Sequence, residues 1–178
     1  MKMTESNRIE FKRELTDELD IEKEVVAFLN YREGGILYIG IDDEGKSVGV
    51  SDIDGDMLKI KDRIRKNVMP SPMGLFDVTA ELVDGVKVIK VFVASGSEKP
   101  YYKAKYGMST RGCFIRVGTA AEPMTTTMIE DLFAHRVRNS LALRLPIKTR
   151  ASCGIFTSIS RGSLRLKFTT TSKRSVSE

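Results

Sequence analysis

Four carboxylates could do the most demanding chemistry in this chain. Glu5 and Glu10 lie near the amino terminus, and Asp42 and Asp43 follow an apolar run. Acidic clusters hold Mg²⁺ or Mn²⁺, and such ions support phosphodiester cleavage. Glu5, Glu10, Asp42 and Asp43 are therefore all candidates to hold such an ion. Residues five apart on a flat strand face opposite sides, so Glu5 and Glu10 converge only if the chain bends between them. On spacing alone, the expected state of all four is a solvated surface carboxylate.

A second pattern is nucleotide-like. Gly40-Ile41-Asp42-Asp43-Glu44-Gly45-Lys46-Ser47 matches the Walker A letters, which makes Gly40, Gly45, Lys46 and Ser47 candidate ATP contacts. A phosphate cradle needs free backbone N–H groups and a following helix. Three carboxylates crowd this loop and a strand-like Val48-Gly49-Val50 follows, so a β-hairpin tip is expected instead. Asp52 to Asp56 resembles the start of a calcium loop. Met57 and Arg63 stand where the required Gly and Glu should be, so it reads as a turn and helix cap. His135 has no second histidine to work with and reads as a cation near helix C-terminal carbonyls.

The third pattern is basic and aromatic. Lys59, Arg63 and Lys66 share one surface of a predicted helix. Tyr101, Tyr102, Lys103, Lys105 and Tyr106 cluster in a loop, with Arg111 and Arg116 beyond it. Cations fit phosphates, and aromatic rings stack on unpaired bases. DNA or RNA is the expected partner.

Composition bounds these readings. The chain has 178 residues with a formal charge of +5. That length predicts one domain with a tail. Residues 1–131 hold 19 basic and 23 acidic residues, net −4, whereas 132–178 hold 10 basic and one acidic, net +9. No run approaches the roughly 20 apolar residues of a membrane span, and no apolar segment follows the first residues as in a secretory signal. Cys113 and Cys153 with a single histidine exclude a Cys/His zinc site and argue against a disulfide scaffold. A cytoplasmic location is expected.

The elements that would position these residues follow from hydropathy. Ile9 to Lys12 alternates as a short strand. Ile21, Val25, Phe28 and Leu29 mark an amphipathic helix with Glu22, Lys23 and Glu24 outside, ending at Gly34-Gly35. Ile36 to Ile41 is a strand buried on both faces, Asp42 to Gly45 a turn, and Ser47 to Val50 a returning strand. A second helix covers Asp56 to Val68 with a stripe of Met57, Ile60, Ile64 and Val68, stopped by Pro70. Phe76, Val78, Ala80 and Leu82 form the buried side of a strand joined by Asp84-Gly85 to its partner, Val86 to Ala94. Gly112 to Gly118 is a strand with Cys113, Ile115 and Val117 on one face. A third helix, Thr125 to Arg138, turns Met128, Ile129, Leu132 and Phe133 inward. The fold class is α+β: a mixed, mainly antiparallel sheet with about three helices and an irregular basic tail. Residues 149–178 hold 12 Ser/Thr without a sustained period. They read as a disordered basic tail, as a stretch outside the native reading frame, or as a nucleic-acid contact.

Several blocks in order carry a family resemblance. Glu5-Ser6-Asn7-Arg8-Ile9-Glu10-Phe11-Lys12 resembles the opening motif of the Schlafen AlbA-2 domain, also called divergent AAA-4. Ala27-Phe28-Leu29-Asn30 with Gly34 to Asp43 resembles its core. Lys99-Pro100-Tyr101-Tyr102 and Phe114-Ile115-Arg116-Val117-Gly118 resemble its later blocks. The resemblance implies a domain over 5–138, regarded as a DNA-binding module that heads bacterial transcriptional regulators, followed by the tail at 139–178. A winged-helix segment is common downstream in the family and is not expected here. Some animal Schlafens cut RNA with two Glu and one Asp. That would assign Glu5, Glu10 and Asp42 or Asp43 as the catalytic set of a Mg- or Mn-dependent endoribonuclease. Nucleic-acid binding, which needs no cofactor, is the leading expectation. RNA cleavage is its alternative, ATP binding a lesser one, and pairing of strand edges into a homodimer a further expectation.

Overall fold

The computed structural model describes residues 4–136. Residues 139–178, expected as the basic tail, lie outside the described residues, as do Arg138 and Cys153.

Eleven elements follow in order among the described residues: β1 (Ile9–Lys12), α1 (Ile21–Asn30), β2 (Gly35–Ile39), α2 (Ile53–Asn67), β3 (Val68–Met69), β4 (Phe76–Val83), β5 (Val86–Val93), β6 (Tyr102–Lys103), β7 (Phe114–Val117), β8 (Ala120–Pro123) and α3 (Thr126–Ala134). The main sheet runs β1-β2-β5-β4, with β1 parallel to β2 and the other pairs antiparallel. β3 pairs with β6, and β7 pairs with β8. This is an α+β fold with a mixed, mainly antiparallel sheet.

Alternation along the strands divides the core. Leu37, Ile39, Val78, Ile89, Val91 and Val93 pack against Ile21, Val25, Phe28, Leu29, Ile60 and Ile64 of the helices. Phe11, Tyr38 and Val88 face the other side of the sheet, joined by Ile9, Ile36 and Val83. The hairpin between β4 and β5 turns on Asp84 and Gly85 at φ 50° and 79°, the left-handed pair that a two-residue loop needs.

Four expectations are corrected. α1 ends at Asn30 and not at Gly34-Gly35, with Tyr31 N–H closing on Ala27 and Phe28 carbonyls. Gly34, at φ 68°, instead turns the chain into β2, and a Cβ there would stand 2.2 Å from the Val93 carbonyl oxygen. Glu22 and Glu24 are buried, because α1 is packed on several sides, with only Lys23 half-exposed. Ser47 to Val50 forms one isolated bridge, Ile41 to Ser47, and no strand. Leu82, Val117, Met128 and Phe133, assigned to buried faces by periodicity, are exposed. The inner side of β4 is covered at Val78 but bare at Ala80 and Leu82. β8 escaped notice because Ala120-Ala121-Glu122-Pro123 has almost no strand propensity. No helix among the described residues is long and apolar enough to cross a membrane.

Candidate nucleic-acid interface and the buried arginine cluster

The acidic positions come first. Ser6 and Ile9 exchange backbone hydrogen bonds at 3.0 and 3.3 Å, so the chain bends between Glu5 and Glu10. Glu5 Oε1 then accepts from the Phe11 N–H at 3.1 Å. Glu10 projects from β1 toward α1, where the buried Arg116 of β7 meets it. Arg116 Nη1 donates to Glu10 Oε2 and to Glu24 Oε2, each at 2.9 Å. Its Nη2 donates to the Ser6 and Thr119 carbonyls at 3.1 and 2.7 Å. The guanidinium lies 4.8 Å from the Phe28 ring centroid. Its Nε has no partner among the described residues. Lys12 takes the other oxygen of Glu10.

Two shifts follow from this crowding. Burial, then the Glu10 charge, pushes the Glu24 carboxyl up despite Arg116. Burial pushes the Lys12 ammonium down, but its bond to Glu10 and the charges of Glu10, Glu24 and Glu5 leave it raised. Arg116, expected among the phosphate contacts, is 3% exposed and cannot reach a ligand.

The same cluster bears on a metal. Both oxygens of Glu10 are occupied by cations. Asp42 Oδ1 accepts from the Glu44 and Lys46 N–H groups at 3.1 and 2.8 Å, which commits it to its own turn. Asp43 is exposed to solvent. Among the described residues no group of three or more His, Cys, Asp or Glu is placed to hold a metal ion. The expected Glu5, Glu10 and Asp42 set does not fit one in this arrangement.

The Walker-like loop does not fit a phosphate either. The N–H groups of Asp42, Glu44, Gly45, Lys46, Val48 and Gly49 all donate within the loop, to Lys46, Asp42 and Gly40 oxygens. A cradle would need those donors free. No helix follows until Ile53, whose cap is the Asp52 carboxylate bonded to Gly55 N–H at 3.0 Å.

The basic residues divide. Arg63 donates to both oxygens of Glu22, at 2.9 and 2.7 Å, and to the Leu19 carbonyl at 2.6 Å. Asn67 adds a third donor to Glu22 at 2.9 Å. Burial pushes the Glu22 carboxyl up, but those bonds outweigh it and leave it lowered. Arg63 is thus a brace between α1 and α2. Lys59 pairs with Asp56 at 3.2 Å, and Lys66 with Asp62 at 3.6 Å, both on the surface. Tyr101 is 1% exposed, so no base can stack on it. Tyr102 is half-buried against the cluster of Cys113, Met124 and Ile129.

What remains converges. Lys103, Lys105, Tyr106 and Arg111 border two neighbouring grooves of about 360 and about 880 Å³, which share Asp20, Lys103 and Tyr106. Tyr106 is exposed, with the Lys103 and Lys105 ammoniums 5.2 and 5.4 Å from its ring centroid. Lys105 and Arg111 are exposed as well. Lys103 is held by Asp20, which also caps α1 by accepting from Lys23 N–H at 3.1 Å. Thr110 and Thr125 line the larger groove beside Arg111.

Sequence reasoning missed Glu24, Asp20 and Asn30. Glu24 sits one helical turn before Phe28, on the stripe itself, and that offset was its available signal. Asn30 donates to the Tyr101 and Phe114 carbonyls at 2.8 and 2.9 Å and accepts from Tyr101 N–H at 2.7 Å. Nothing local marks it.

Known proteins add a frame. The family model described as Schlafen, AlbA_2 matches residues 5–125. A search of curated proteins gives no match. Among solved structures, the DIP2311 protein of Corynebacterium diphtheriae is similar in fold. It has a TM-score of 0.51 and 22% identity over 73% of this chain and 24% of that one. The N-terminal domain of a RecG-related protein from Nitrosomonas europaea has a TM-score of 0.49 and 24% identity over 70% of this chain and 83% of that one. This chain therefore spans about a quarter of the length of DIP2311.

Proposed function

The chain belongs to the Schlafen AlbA_2 family, and on that premise we propose that residues 5–138 are a nucleic-acid-binding domain of a cytoplasmic, bacterial transcriptional regulator. The observation that carries this reading is the convergence of Lys103, Lys105 and Arg111 around the exposed Tyr106, at the rim of two open grooves. Each cation that neutralises a phosphate releases counterions, so affinity falls steeply with salt. A stacking ring beside them favours strands with unpaired bases.

The test is fluorescence anisotropy of labelled DNA and RNA oligonucleotides, single- and double-stranded, across a salt series. Binding that weakens with salt, with a shallower slope in Lys105→Ala/Arg111→Ala, supports the reading. Salt-independent binding, or none at low salt, rules it out.

Divalent-metal-dependent RNA cleavage is the weaker reading, because Arg116 and Lys12 occupy the oxygens of Glu10. It predicts cleavage of structured RNA with Mn²⁺ that disappears in Glu10→Gln. ATP binding through Lys46 is weaker still, since the loop keeps its N–H groups for itself.

A further inference from the structure

We infer that β4 is a homodimer interface: two copies join their main sheets edge to edge, with Leu82 of each filling a groove on the other.

β4 lies at the end of the β1-β2-β5-β4 sheet, and among the described residues nothing pairs with its outer side. Natural edge strands are blunted by charged side chains, lysine above all, by proline, by a bulge or by short length; the only charges on β4 are Asp77 and Glu81. β4 runs eight residues, carries no lysine or proline, and keeps an unbroken register from Phe76↔Val93 to Val83↔Val86. The opposite edge, β1, has only four residues.

The direction of the free groups can be read off. Ala94 N–H donates to the Leu75 carbonyl at 2.7 Å, and these two residues are directly opposite in the β4–β5 register. Hydrogen-bonded pairs alternate along an antiparallel ladder. Asp77, Thr79, Glu81 and Val83 therefore bond to β5, while Phe76, Val78, Ala80 and Leu82 present N–H and C=O outward; the Val78 N–H donates to the Asp77 carboxylate at 2.9 Å and exchanges that bond for one to the partner.

The side chains along this edge complement each other. Leu82, Leu58 and Met73 are 67%, 64% and 63% exposed, the highest values among the exposed large apolar residues. Leu58 and Met73 line a groove of about 360 Å³ with Phe76 and Val78, on the helix-covered side of the sheet. Leu82 protrudes on that same side, four residues along the strand from Val78. A two-fold axis through Ala80 pairs Ala80 with its own copy and sets the partner's Leu82 opposite Val78, directly beside the groove. Such a contact is self-complementary and closes as a dimer.

Charge selects this register over its neighbour. A two-fold through Thr79 would place Asp77 directly opposite the partner's Glu81, twice, and like charges so placed repel. The axis through Ala80 puts Thr79 opposite the partner's Glu81 and Asp77 opposite the partner's Val83. It also uses the outward-facing residues, as hydrogen bonding requires.

The experiment is light scattering on the full-length chain after size exclusion. Wild type is expected at twice the mass of one chain. Leu82→Glu and Ala80→Pro are each expected at the mass of one chain, with circular dichroism and cooperative melting retained. Ala80 N–H faces outward, so proline there removes no bond to β5. Opposed Cα atoms of a hydrogen-bonded pair lie about 5.5 Å apart, within disulfide range. Ala80→Cys should therefore cross-link on mild oxidation where wild type, with Cys113 and Cys153, does not. A wild type that stays at the mass of one chain, a dimer that survives both substitutions, or no cross-link in a dimeric Ala80→Cys overturns the inference.

Discussion

Two clusters of charge meet α1, one at Glu24 and one at its cap Asp20, and they behave as opposites. Around Arg116, a guanidinium with no side-chain exposure binds two carboxylates that are 9% and 11% exposed. Around Tyr106, the exposed Lys105 and Arg111 and the half-buried Lys103 border two open grooves, the smaller of which also carries the carboxylates Asp17, Glu18, Asp20 and Glu22. Both clusters contain residue types associated with nucleic-acid chemistry. In the first, every charge is spent inside the protein, where an ion pair is costly to form and costlier to break. In the second, Lys103 is held by Asp20 but Lys105 and Arg111 stay in water, where charge contributes little to stability and much to attraction over distance. A basic or acidic residue therefore signals function only once its partner is known.

The largest test of that contrast is Arg116→Met. It strands Glu10 and Glu24 against Phe28, and unfolding stability should fall by about 3–5 kcal/mol in denaturant titration. Adding Glu24→Gln to it should return part of the loss. If Arg116→Met folds with unchanged stability and instead loses nucleic acid, the two clusters are not what the contrast makes them. Arg63→Ala should cost about 2 kcal/mol by removing charged hydrogen bonds to Glu22, while the folded protein binds oligonucleotide as wild type does.

Lys105→Ala/Arg111→Ala should do the reverse. Stability should stay within about 0.5 kcal/mol, and the log–log salt slope of binding should shrink by about 2. The smallest effect is in pH dependence. Glu24 has a raised value in the fold, so its contribution to stability is present at low pH and lost as pH rises through that value. Glu22 has a lowered value, so its contribution is present at neutral pH and lost as pH falls through it. Melting temperatures against pH should show Glu24→Gln gaining on wild type as pH rises and Glu22→Gln gaining as pH falls. The same sign for both would break the distinction between a glutamate met by a single guanidinium nitrogen and one met by three donors.

The sequence made the secondary structure readable wherever burial is one-sided. α2 follows its period closely, because it has a wet face and a dry face, whereas the period of β4 holds at Val78 and fails at Ala80 and Leu82, where nothing among the described residues covers the sheet. α1 misleads because it is packed on several sides, so Glu22 and Glu24 look solvated when read from spacing. β7 misleads for a related reason: Arg116 alternates as an outward residue but points at α1. The Tyr–Lys loop was legible because Lys105, Tyr106 and Arg111 belong to a polar, exposed segment, where residue type and location agree. Tyr101 in the same run was not, since its burial depends on Asn30, 71 residues away.

That last dependence bears on how the protein is made. Asn30 and Glu24 are synthesised early, yet their partners at Tyr101, Phe114 and Arg116 follow 71, 84 and 92 residues later. Until then the helix carries polar groups into a socket that does not exist. An emerging nascent chain can form α1 and lay its apolar side on the sheet and α2, but cannot satisfy Glu24 and Asn30 before β7 has left the ribosome. Contacts this distant also slow folding, because the loop must close before any bond rewards it. For a growing chain, the block from Phe114 to Val117 is the latch that turns a half-solvated helix into the centre of a domain.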